Sequence, residues 1–248
     1  MVIIYLFIFL IGLCIGSFLN VIIFRLNKKA GAFTGRSECP KCGKQLKWYD
    51  LFPVLSYIFL RRRCRNCKSK ISFVYPLTEL LTAFFILLFY VFYKPVFGVA
   101  DFFYLLIIVS FVVLIFFDYL YLLLPDKIIL PLIILTILFN YLFRRSEFTS
   151  LLLSALVLGG IFAIIHIVSN GKWVGLGDAK LLFLIGLVFG YVLGLWVLML
   201  SVWIAALVGI GLIILGKANR KTALPFGSFL AGVSILIIIF QNEVQKLF

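Results

Sequence analysis

The chain has 248 residues, 65% of them apolar and only 13% charged, with a mean hydropathy of +1.22. Soluble domains are roughly half apolar and a quarter charged, so the composition excludes an ordinary soluble domain and points to an integral membrane protein. A single histidine, His166, argues against a His-ligated haem or a polyhistidine metal centre. A net charge of +14, from 23 Lys+Arg against 9 Asp+Glu, makes each acidic residue informative.

A bilayer core of about 30 Å takes roughly 20 helical residues. About eight stretches meet that need, which predicts an all-α polytopic membrane protein with about eight transmembrane helices and a small loop domain between the first two. The first span runs from Val2 to Phe24 and holds Cys14, read as a packing residue. No small-residue cleavage site follows it, so it reads as a span and not as a cleaved signal. The one polar segment comes next, from Arg25 to Ser72, with Cys39-Pro-Lys-Cys42 and Cys64-Arg-Asn-Cys67 separated by 21 residues. Each C-x-x-C turn offers two thiolates to one tetrahedral ion and the second pair completes a four-cysteine set, which predicts a structural Zn²⁺. The alternatives are two disulfides, disfavoured on a cytoplasmic face, or redox dithiols, for which no thioredoxin-like pattern is present. Arg61, Arg62, Arg63 and Arg65 read either as contacts to anionic headgroups or as a solvated face.

The second span, Phe73 to Tyr93, carries Glu79, read as a first-turn acid. The third, Phe102 to Leu124, carries Asp118 after sixteen uncharged residues and six residues before its end. That places the carboxylate about 9 Å inside the helix end, a costly position that by default marks a functional site. Leu124-Pro125-Asp126 leads into the fourth span, Lys127 to Phe143, where proline and an acid both suit a first turn. The fifth, Leu151 to Val168, holds His166, read as a helix-packing or interfacial residue. Ahead of the sixth, Ala179 to Val197, stands Gly175-Leu176-Gly177-Asp178. Asp178 can cap that helix, and the two glycines permit close approach of a substrate. The sixth span runs without a charge into the seventh, Leu198 to Leu215, so a tight turn is expected near Gly190 to Gly194 or at Ser201; the eighth runs from Pro225 to Phe240.

Eight crossings place 19 Lys/Arg on the side holding the polar loop and four, Lys94, Arg144, Arg145 and Lys246, on the other. The positive-inside rule puts the first side in the cytoplasm and both termini outside. The basic balance then reads as topology and contact with membrane lipid, with no nucleic acid as partner. Asp118 and Asp178 fall at one depth on the cytoplasmic face. Two carboxylates in a low-dielectric site share a proton and can activate a water between them for attack on an amide carbonyl, which is aspartic-protease chemistry.

Several ordered motifs resemble one family. Gly16-Ser17-Phe18-Leu19-Asn20-Val21 with Arg25-Leu26 is similar to its first span, and the two Cys pairs, Trp48-Tyr49-Asp50 and Tyr75-Pro76-Leu77-x-Glu79-Leu80-Leu81 to its cytoplasmic domain. Asp118 with Leu124-Pro125-Asp126, then Gly175-Leu176-Gly177-Asp178-Ala179-Lys180, then Leu224-Pro225-Phe226-Gly227 with Phe229-Leu230-Ala231 follow in order. Over nearly its whole length the chain resembles the prepilin peptidases, the bacterial type IV leader peptidases of the GxGD aspartic protease class. The resemblance implies an inner-membrane endopeptidase that removes the basic leader of type IV prepilins or pseudopilins at the cytoplasmic face. Asp118 and Asp178 carry over as catalytic, with Gly175, Gly177 and Asp126 as supporting residues. Many members also methylate the new N-terminus with S-adenosylmethionine, and the presence of the cytoplasmic domain implies the same here. The chain departs from the family pattern in having one acid ahead of Leu-Pro-Asp where some relatives have two, and in reading Gly-Ser-Phe-Leu at 227 to 230 where a proline often stands. The domains expected are residues 1–24 as first helix, 25–72 as zinc-binding loop and 73–248 as a seven-helix peptidase. Two other readings of the same residues are a small proton-coupled transporter with intramembrane carboxylates, which leaves the four-cysteine loop unexplained, and a catalytically silent scaffold built around the zinc domain.

Overall fold

A computed structural model describes residues 2–26, 37–219 and 222–244. Residues 27–36 of the expected loop domain, Arg220, Lys221 and Lys246 lie outside the described residues. In chain order the elements are α1 (Val2–Leu26), a 3-10 turn (Trp48–Leu51), α2 (Leu55–Phe59), α3 (Val74–Leu88) with a closing π-type turn (Phe89–Tyr93), α4 (Val99–Tyr121), α5 (Asp126–Phe143), α6 (Phe148–Val168), α7 (Leu176–Ile214), α8 (Phe226–Ile239) and α9 (Gln241–Val244). Among the described residues the only β pairing is two isolated bridges, Glu38 with Gln45 and Arg63 with Lys70. Six helices among the described residues are long and apolar enough to cross a membrane, and α8 is a shorter apolar helix.

The expected eight segments are recovered once α7 is divided. Gly190 interrupts it at φ 75°, ψ −171°, a conformation open in practice only to glycine. The division therefore lies at Gly190 and not between Val197 and Leu198. The break strands the last carbonyls of the first half of α7, and the end of α5 with its C-cap residue supplies donors for them. Asn140 Nδ2 donates to Leu187 O at 2.8 Å. Arg144 Nη1 donates to Val188 O at 3.1 Å, setting a cation against a helix C-terminus.

The chain forms two compact units, one of residues up to Phe116 with those from Ile238 onward, the other Phe117–Ile237. In the first, α1 and α3 meet backbone to backbone: a Cβ on Gly12 or Gly16 would lie 2.6 Å from the Cα of Ala83 or Glu79. This is the small-residue spacing that lets apolar helices pack closely. Glu79 is not a first-turn acid but the sixth residue of α3, buried, accepting the Val54 N–H on Oε2 at 2.8 Å. Cys14 is exposed on α1, so it does not serve packing. In the second unit His166 sits half-buried at the end of α6, its Nδ1 2.8 Å from Val174 O.

Candidate active site and metal centre

Asp118 lies in the last turn of α4, 5% exposed. The helix ends at Tyr121, three residues earlier than expected, because Leu122 turns left-handed at φ 51° and Pro125 follows closely. The carboxylate is thus nearer the helix end than the sequence spacing implied. It is held from the far end of the chain. Ser228, the third residue of α8, donates its N–H to Asp118 Oδ2 at 2.7 Å and its hydroxyl to the same oxygen at 3.2 Å. The N-terminus of α8 therefore points at the carboxylate, where the helix dipole and unpaired N–H groups favour an anion.

Asp178 is half-buried and is the third residue of α7, not its N-cap; that position belongs to Gly175, at φ −73°, ψ 145°. An acid at this position can turn back on the helix start, and Asp178 Oδ2 lies 3.4 Å from where a Gly175 Cβ would stand. The two aspartates are close enough for the charge of Asp118 to act on Asp178. Leu124 sets the spacing between their segments. A Cβ on Gly177 would meet Leu124 Cβ at 2.9 Å, and one on Gly227 would meet Leu124 Cδ1 at 2.9 Å and Asp118 Oδ2 at 3.1 Å. One leucine is thus pressed between a glycine preceding Asp178 and a glycine preceding Ser228.

Asp126 opens α5 with Pro125 as its N-cap, as expected of a first-turn acid. Its Oδ1 accepts from Lys180 Nζ at 2.6 Å, tying the start of α5 to the start of α7. Sequence reasoning named Asp118, Asp178, Gly175, Gly177 and Asp126 but missed Ser228 and Lys180. The Gly-Ser-Phe-Leu departure at 227 to 230 was the available signal for Ser228.

The four loop cysteines form a second site. Cys39, Cys42, Cys64 and Cys67 place their sulfurs within 4.8 Å of one another, and all four are free thiols. Tetrahedral zinc with bonds of about 2.3 Å needs sulfurs about 3.8 Å apart, and Cys39 Sγ to Cys67 Sγ is 3.9 Å. The donor set fits a metal. Both turns have the same build: Cys39 N donates to Lys44 O and Gly43 N to Cys39 O, just as Cys64 N donates to Ser69 O and Lys68 N to Cys64 O. Gly43 and Lys68, each following its pair, are both left-handed at φ 66° and 58°. The Ser69 hydroxyl and N–H, with the neighbouring thiols, draw the Cys67 thiol down to about 6. At Cys42 a backbone bond at Lys44 pulls downward, but desolvation and the thiols of Cys39 and Cys67 outweigh it and push the group up to about 11.

The family model described as the bacterial Peptidase A24 N-terminal domain matches residues 10–93, and that of the Type IV leader peptidase family matches residues 105–214. Among curated proteins, the chain is similar to the prepilin leader peptidase/N-methyltransferase of Aeromonas salmonicida (strain A449), 31% identical over 96% of this chain and 91% of the relative. The protein of the same name from Aeromonas hydrophila is 32% identical over 96% and 91%. That of Bacillus subtilis (strain 168) is 32% identical over 95% and 94%. No solved structure matches the chain. With both halves of the chain matched in order and whole-length relatives above 30% identity, the chain belongs to the type IV leader peptidase family.

Proposed function

We propose that this chain is a multi-pass enzyme of the bacterial inner membrane that cuts the basic leader from type IV prepilins or pseudopilins and N-methylates the new N-terminus. The observation that carries the peptidase reading is the Asp118–Asp178 pair, set at the N-termini of α8 and α7. The names of the relatives, prepilin leader peptidase/N-methyltransferase, supply the substrate class and the second activity. They leave the transporter reading without support.

In this mechanism the two aspartates share one proton. Hydrogen bonds donated by Ser228 stabilise the charged form of Asp118, so the shared proton resides on Asp178. Asp118 takes a proton from water as the water oxygen attacks the scissile carbonyl, and Asp178 gives its proton to the carbonyl oxygen. Collapse of the gem-diol breaks the C–N bond, the Asp118 proton passes to the leaving nitrogen, and Asp178 regains a proton from the diol. No nucleophilic side chain is consumed.

The positive-inside rule places this site at the cytoplasmic face. Residues 1–24 serve as the first helix, 25–72 as a zinc-binding loop domain and 73–248 as the peptidase. Zinc is the metal that the four-cysteine set suits, in a structural role, and the exposed Arg61, Arg62 and Arg63 meet lipid headgroups. S-adenosylmethionine, when bound, supplies an electrophilic methyl group to the freed amine.

The test is incubation of the purified full chain with a prepilin, with cut site and N-terminal mass read together. Cleavage between leader and mature segment, with a gain of one methyl mass when the donor is added, is the expected result. An intact prepilin after incubation would overturn the peptidase reading; a cut, unmethylated product under saturating donor would remove the methyltransferase.

A further inference from the structure

The loop domain holds an open cavity of about 410 Å³, lined by Tyr49, Asp50, Phe52, Ser56, Phe59 and Arg65 among others, with Phe52 and Phe59 exposed at its mouth. Its size is that of a small-molecule site. Its chemistry is uneven in an informative way. Three aromatic rings line it, while an ion pair, Asp50 with Arg65, forms its polar part.

The pair is built asymmetrically. Arg65 donates both Nε, at 3.1 Å, and Nη2, at 2.8 Å, to one oxygen, Asp50 Oδ1. The pair is not sealed: the Arg65 side chain is half exposed, and Asp50 Oδ2, which takes no bond from Arg65, still reaches solvent although the Asp50 side chain is only 6% exposed. The guanidinium is further held over the Tyr49 ring, its carbon 5.0 Å from the ring centroid. An oxygen left open beside an ion pair can take one further donor. A guanidinium edge at its side is a matching receptor for a carboxylate. The two free edges together match a zwitterion: an ammonium for Asp50 Oδ2 and a carboxylate for Arg65 Nη1. The aromatic walls match a flat base and, by their negative faces, a cationic centre.

We infer that this cavity is the binding site for the methyl donor, taking an adenosyl amino acid whose zwitterionic tail engages Asp50 and Arg65 and whose purine lies among Tyr49, Phe52 and Phe59. The inference rests on the methyltransferase reading of the preceding section and deepens it. S-adenosylmethionine fits these residues in each part: base, sulfonium and amino-acid tail each have a counterpart. A polyphosphate nucleotide does not, because Asp50 would oppose its charge.

The test uses the full chain in detergent and S-adenosylhomocysteine, the product form, so binding is read by calorimetry without turnover. Wild type binds it, adenosine binds at least tenfold more weakly for want of the tail, and ATP does not compete. Asp50→Asn and Arg65→Gln each weaken binding at least tenfold, and Phe59→Ala, remote from the ion pair, does so to a smaller degree. All three keep their zinc and cleave prepilin at the wild-type rate. Wild-type affinity in Asp50→Asn and Arg65→Gln, from an enzyme that methylates, would overturn the site while leaving the methyltransferase. Loss of binding only in variants that have also lost zinc would overturn it too, as an effect of folding. A wild-type chain that cleaves but neither binds nor methylates would overturn the methyltransferase reading itself.

Discussion

Ser228 binds Asp118 Oδ2 twice, by its backbone N–H at 2.7 Å and its hydroxyl at 3.2 Å, across 110 residues of sequence. The shorter bond is a property of the backbone and survives any side-chain change except to proline. Ser228→Ala should therefore lower kcat only about fivefold, the worth of one net hydrogen bond of about 1 kcal/mol, with KM unchanged. A loss of a hundredfold or more in a folded Ser228→Ala would show that the hydroxyl, and not the helix N-terminus, holds the carboxylate.

The aspartate pair should behave as one device. Asp118→Asn and Asp178→Asn keep side-chain size and remove the shared proton, so each should lower cleavage by about a thousandfold or more, with the double variant little worse than either. Thermal unfolding of Asp118→Asn should show an intact and no less stable fold, because a buried carboxylate has become neutral. Substantial turnover by either single variant would end the aspartic mechanism.

Asp126 should matter far less. Its carboxylate is half exposed and already paired with Lys180, and exposed ion pairs contribute about 0 to 1 kcal/mol. Asp126→Asn and Lys180→Ala should each change cleavage by less than about fivefold, and together no more than singly. An inactive Asp126→Asn would move the first catalytic role eight residues along the chain.

Zinc binding should release protons. Between about 6, where Cys67 ionises, and about 11, where Cys42 does, the metal-free cluster carries at least one protonated thiol. Metal must displace that proton, so affinity rises with pH by about tenfold per unit or more across this window. Chelator competition at two pH values on either side of neutrality measures the slope, and a flat dependence would contradict a site of four thiolates. Cys64→Ser should lose the metal and open the loop to protease while slowing cleavage less.

The parts legible in the sequence were those whose signal is local. Asp118 interrupts a long apolar run, the two Cys pairs have ligand spacing, and Gly-x-Gly-Asp stands ahead of a span. What stayed hidden is long-range. Ser228 is an ordinary hydroxyl until α8 brings it to α4, Lys180 pairs with a residue 54 positions away, and Asp50 meets Arg65 across the metal loop. The break in α7 was expected only to a region, because that run holds several glycines and only the backbone shows that Gly190 takes the left-handed turn. Asp178 was misplaced as an N-cap because Leu176 and Gly177 give no helix signal, although the helix begins there.

The break at Gly190 has a consequence for the lipid. From Leu176 to the break, α7 is roughly 21 Å long, and α8, with 14 residues, is the same. Both carry site residues at their starts, and both fall short of a hydrocarbon layer of about 30 Å. Hydrophobic mismatch of this size is relieved when the surrounding bilayer thins. A dimple in the membrane would bring headgroups and water down to the carboxylates, so that a charged leader reaches them without being drawn through oil. Turnover in vesicles should accordingly be faster in myristoyl-chain than in erucoyl-chain phosphatidylcholine, and equal rates across such a series would show that the short helices leave the bilayer undeformed.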